Sequence, residues 1–87
     1  MEENIENGEP KMRSEQDIRK AAEEFGNRVW YLRYQHEAPK KPVREVEKLY
    51  GKQSLKTETE FDAGFINGKL SALRWVLGNH WDLLDAP

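Results

Sequence analysis

The sequence predicts an all-α fold, a small helical bundle of two long helices plus one or two short ones with a disordered N-terminal tail. Three observations carry that reading. Apolar residues recur at spacings of three and four along two stretches, which is the signature of helices with a buried face. Capping and stop signals bracket those stretches. The chain has only 87 residues and no cysteine, so one core must be built from these few elements without disulfides.

The first dozen residues, MEENIENGEPKM, hold four Glu around a lone Ile5 and Met12. No period is sustained there, so residues 1–13 read as a disordered acidic tail and 14–87 as a single helical domain. Ser14 followed by Asp17 is an N-terminal cap signal. From there Ile18, Ala22, Phe25, Val29, Leu32 and His36 form one narrow seam at about 100° per residue. Glu15 with Arg19 and Glu24 with Arg28 are acid-first pairs one turn apart, which support a helix over about 15–37. Gly26 and the strand-like run from Val29 to Tyr34 oppose it, and the unbroken helical period decides. Pro39 ends it near Glu37 or Ala38.

Pro39-Lys40-Lys41-Pro42 reads as a stiff linker, and Pro42 as the first turn of a second helix over 42–50. Val43, Val46, Leu49 and Tyr50 mark its buried face, and Gly51 its stop. Thr57-Glu58-Thr59-Glu60 is a capping box for a third helix over 58–77, which Gly78 and Asn79 end. A last short turn over 79–84 closes the chain, capped by Asn79.

The third helix is apolar on two sides. Phe61, Phe65, Ala72 and Val76, flanked by Gly64, Gly68 and Trp75, occupy one; Ala63, Ile66, Leu70, Leu73 and Leu77 occupy the other. Gly64, Gly68 and Ala72 stack one turn apart, so two backbones could approach closely there. Either the first helix packs on that lane within the monomer, or a partner helix does, a second copy of the chain included. Close packing of either kind predicts that Gly68→Leu disrupts more than a change at Asn67. The main contact of the domain is expected between the first and third helices, through the 18/22/25/29/32 seam.

Trp30 and Tyr34 lie one turn apart and point away from that seam, with Tyr31 on the same outer side. Large aromatics aimed outward beside Arg33 suit a protein-binding anchor; a lean core needs its aromatics, which favours the second helix or the C-terminal turn covering them as a second core layer. Charge adds another candidate. Residues 1–25 carry −4, residues 26–56 carry +5 and residues 57–87 carry −3, which sum to the net −2. The basic middle, with Arg28, Arg33, Lys40, Lys41, Arg44 and Lys48 among aromatics, could contact phosphates and stack bases. Against that, no nucleic-acid fold signature is present, and a solvated basic face is the plainer reading.

Chemistry finds little to rest on. His36 continues the first seam. His80, Asp82 and Asp85 have no recognised metal spacing, and no nucleophile–base pair or phosphate loop is visible. The sequence therefore points to a protein that is not an enzyme and uses no cofactor or metal. Zero cysteines fit a reducing cytoplasm, and no stretch reads as a signal peptide or membrane span. The stretch from Phe61 to Gly78, with Trp81-Asp82-Leu83-Leu84-Asp85 and Asn27-Arg28-Val29-Trp30-Tyr31, resembles short prokaryotic proteins of no assigned activity. That resemblance implies a prokaryotic or mobile-element origin and transfers no functional residue. The expectation is a cytoplasmic protein-interaction module that binds another protein or a second copy of itself, with nucleic acid as the alternative partner and no membrane.

Overall fold

A computed structural model describes residues 5–6 and 9–81. Four helices follow a short antiparallel ladder: β1 (Ile5–Glu6), β2 (Glu9–Pro10), α1 (Glu15–Tyr34), α2 (Lys40–Tyr50), α3 (Lys52–Leu55) and α4 (Glu60–Val76). The ladder pairs Ile5 with Pro10 and Glu6 with Glu9. Two-residue strands are too short for any period to reveal. The domain that follows is all-α.

Both long helices begin as capping chemistry dictates. Ser14 Oγ accepts from the Asp17 amide at 3.1 Å, which satisfies one of the unpaired donors of the first turn. The pairs Glu15–Arg19 and Glu24–Arg28 both close at 2.8 Å. At α4 the cap sits two residues later than the sequence suggested. Thr59, not Thr57, accepts from the Asp62 amide at 3.1 Å, and Asp62 Oδ2 reaches back to the Glu58 amide at 3.2 Å. Both registers place an acid three residues after a threonine; the later one gives α4 a cap bonded from each side.

The stops are equally physical. Gly51 and Gly78 take φ of 86° and 109°, a region that costs a side chain dearly. At Gly78 the amide donates to Trp75 O at 3.0 Å and the next amide, Asn79, to Arg74 O at 2.9 Å; the two bonds make a Schellman cap. Asn79, His80 and Trp81 continue without helix, and residues 82–87, where the rest of the expected last turn falls, lie outside the described residues.

The helix bounds differ from the sequence reading, α4 included, which runs Glu60–Val76 against 58–77. α1 ends at Tyr34, and Gln35–Glu37 turn back onto it through amides bonded to Tyr31 O and Tyr34 O. Lys40, Lys41 and Pro42 are the first turn of α2 and not a linker, with Pro39 as its cap. Proline at the third helical position still costs nothing, because that amide has no partner within the helix. α3 is a single turn that periodicity could not show.

α1 and α4 make the largest interface, through the expected residues: Ile18, Ala22, Phe25 and Leu32 are half-buried and Val29 is buried. The helices run antiparallel, so that Ile18 lies beside Val76 and Leu77 and Phe25 beside Lys69. α2 and α3 pack on another side of α1. Among the described residues only Val29, Tyr31, Leu55 and Leu70 are buried, a core as lean as the composition. No helix among the described residues is long and apolar enough to cross a membrane.

Candidate functional site

α4 settles which of its two apolar sides the monomer uses. Leu70 is buried, and Ala63, Ile66, Leu73 and Leu77 are half-buried toward α1. Every residue of the opposite side is exposed: Phe61, Gly64, Phe65, Gly68, Ala72, Trp75 and Val76. The expectation that α1 packs on the glycine lane is therefore overturned. The larger side chains of the Leu70 side bury more apolar area per turn than glycines can, so α1 takes that side. A Cβ placed on Gly64 or Gly68 meets nothing within 4 Å.

Rings frame this lane. Phe61 and Phe65 stack with centroids 6.3 Å apart and planes 8° from parallel. At the other end Trp75 stacks on Trp81 at 4.8 Å and 11°. Lys69 marks one edge, its ammonium 5.2 Å from the Phe25 ring and 4.6 Å from the Phe65 ring. Within it, Gly64, Gly68 and Ala72 leave the backbone open. Apart from Lys69, the face presents no charged residue along its length. A contiguous exposed apolar surface of this kind on a small domain is a marker of association.

The expected order of sensitivity at Gly68 and Asn67 reverses within the monomer. Asn67 is half-buried and its amide nitrogen donates to Ala63 O at 3.0 Å, whereas Gly68 is open. The structure also separates the aromatics of α1. Tyr31, read as outward-facing, is buried, and its hydroxyl donates to Glu47 Oε2 at 2.6 Å. That hydrogen bond, with burial and the carboxylate's charge, pushes the phenol up to about 12. Trp30 is half-buried between α1 and α2, lining a cavity with Asn27, Pro42, Glu45, Val46 and Leu49. Tyr34 stays exposed, 6.4 Å from Trp30 between ring centroids. α1 thus has a second side set against α2 and α3, which cover Trp30 and Tyr31 as the second-layer reading expects, while Tyr34 stays exposed.

The basic candidates fall into three places. Lys40, Lys41, Arg44 and Lys48 share one exposed face of α2. Arg28 is committed elsewhere: it binds Glu24 at 2.8 Å, donates to Ser54 O at 2.9 Å and lies 5.1 Å over the Tyr50 ring. Asn27 adds a bond to Tyr50 Oη at 3.0 Å, so this corner ties α1 to α2 and α3. Arg33 is exposed at the α1–α4 junction, away from the α2 face, lining a groove with Tyr34 and Arg74. His36, read as part of the seam, is exposed in the turn after α1. Among the described residues no three His, Asp or Glu side chains gather as a metal site would require; Asp82 and Asp85 lie outside them.

Sequence reasoning missed Leu55, one of the four buried residues, because α3 is a single turn with one apolar residue. It had the outer face of α4 in hand, but not which side of the helix the monomer would leave open. No family model, curated protein or solved structure matches the chain.

Proposed function

We propose that this chain is a small non-catalytic protein-interaction module, working in the cytoplasm, whose binding surface is the outer face of α4. One observation carries the reading: the whole side from Phe61 to Val76 is apolar and exposed, although a chain this lean in apolar residues has few to leave in water. Trp30 and Tyr34 lie on α1 and are secondary candidates. The cysteine-free composition is what supports the cytoplasm. The test is association of the full chain and its Phe65→Asp variant, measured by sedimentation and by affinity capture. The substitution should abolish association while leaving the helical circular dichroism and melting temperature nearly unchanged, because Phe65 contributes little to the fold. Unaltered association in a folded variant would overturn the reading.

A second reading has one specific observation in its favour, the four cations on one exposed face of α2. Lys40 and Lys41 sit in the first helical turn, where the helix dipole disfavours positive charge, so the fold gains nothing from them there. Binding to DNA or RNA through this face would weaken steeply between 50 and 200 mM salt, with a log–log slope of about −3 for three to four phosphate contacts. Lys40→Glu with Lys41→Glu should flatten it. No salt-dependent binding by the unmodified chain would eliminate this reading.

A further inference from the structure

We infer that the occupant of the α4 face is a second copy of this chain, its α4 running antiparallel to the first about a two-fold axis at Gly68. The inference rests on the protein-binding reading above and adds the partner and the geometry.

Area is the first argument. Phe61, Phe65, Trp75, Val76 and Trp81 are 78%, 56%, 48%, 54% and 53% exposed. At about 150–250 Å² per aromatic side chain, that is roughly 600 Å² of accessible apolar surface. Two copies covering it, with the glycine backbone between, bury on the order of 1,300 Å² in total, which falls within the range of stable specific interfaces. One helix laid along the lane is enough to cover it. Among the described residues none covers the lane from Phe61 to Trp75, because α1 packs on the Leu70 side of α4 and reaches the open side only at its edge, beside Val76.

Shape chooses the direction. In a parallel pair each bulky residue meets its own image, Phe61 on Phe61, Phe65 on Phe65 and Trp75 on Trp75. Those rings hold the axes apart and leave Gly64, Gly68 and Ala72 facing a gap, and gaps of that kind are costly. About an axis at Gly68 in the antiparallel pair, Phe61 meets Trp75, Gly64 meets Ala72, and Phe65 falls over the small residues near Ala72. Large faces small along the centre, and rings meet rings at both ends. Antiparallel helix dipoles also attract, and parallel ones repel. Such a contact is isologous, so it closes at two copies.

The absence of cysteine from the sequence makes the geometry directly testable. A single Gly68→Cys places two thiols at the axis, within disulfide reach of each other. Under mild oxidation it should cross-link with itself far faster than Glu23→Cys on the exposed side of α1. Phe61→Cys alone and Trp75→Cys alone should stay at that background rate, and an equimolar mixture of the two should cross-link. Sedimentation of the unmodified chain should show a dimer, and Ala72→Arg, on an exposed site, should raise its dissociation constant at least about thirtyfold. Self-cross-linking of Phe61→Cys and Trp75→Cys would overturn the antiparallel arrangement. A monomer at about 0.5 mM would overturn the second copy. In that case the protein-binding reading survives only if Phe65→Asp abolishes binding to a different protein; loss of both fails the two together.

Discussion

Replacing Gly64 and Gly68 by alanine tests where the glycine lane points, and the expected sign is opposite to that for a packed interior. Both residues lie within α4 and neither has a positive φ, so alanine adopts the existing backbone. A Cβ at either position meets nothing within 4 Å, so there is no clash to offset the gain. Glycine costs a helix interior about 0.5–1 kcal/mol relative to alanine. The double variant should therefore be more stable by about 1–2 kcal/mol, which for a domain of this size raises the melting temperature by roughly 5–15 °C. The measurement is urea denaturation followed by tryptophan fluorescence at low micromolar chain, where association contributes least, with the slope unchanged and the midpoint raised. A lower midpoint would refute the reasoning, since it would mean that the lane is already packed against something within one chain. Repeating the melts at hundredfold higher concentration separates association from folding. The unmodified chain should gain stability there by mass action, and the double variant should gain less because its helices can no longer approach as closely.

Two further outcomes test the core and the α1–α2 contact. Leu55→Ala removes a side chain only 3% exposed and should destabilise by about 2–4 kcal/mol, readable as a lowered urea midpoint; a loss under 1 kcal/mol would mean that α3 is not part of the core. Tyr31, whose phenol is pushed from 10.0 to about 12 in the folded chain, is held in its protonated form by folding. Its contribution to stability is fully present below pH 10 and is lost as pH rises toward 12. Tyr31→Phe should cost about 1–2 kcal/mol by leaving the Glu47 carboxylate without its donor and should remove the absorbance change near pH 12, which is checked by alkaline titration of both proteins.

What the sequence could and could not disclose divides along the range of the interactions involved. Caps and stops are local chemistry: Ser14, Gly51 and Gly78 act through groups within a few residues, so composition alone located them. The α1–α4 seam was legible because five α1 residues repeat a helical period over four turns. Tyr31 could be read only as off the seam, covered or exposed, for the converse reason. It sits off that seam, and only α2 and α3, arriving from later in the chain, supply Glu47 and Leu55 beside it. The α4 cap moved by two residues because Thr57 and Thr59 each precede an acid by three, and Asp62 decides between them by bonding the Glu58 amide.

The two-sided α4 shows why the sequence could name Gly64, Gly68 and Ala72 as a contact lane without showing whether α1 or another chain fills it. Both of its sides are apolar by sequence, and a helix with two such sides can be satisfied only by two neighbours. The monomer supplies one. α1 takes the Leu70 side, while α2 and α3 are spent on Trp30, Tyr31 and Arg28 at another side of α1, so no described element remains to cover Phe61, Phe65 and Trp75. Burying those rings on the Leu70 side would have given the monomer a larger core. Their place on the open side, around two glycines that weaken the helix, meets no covering element among the described residues. Residues that cost the monomer stability without a local return are where a selected contact with another chain is expected to lie.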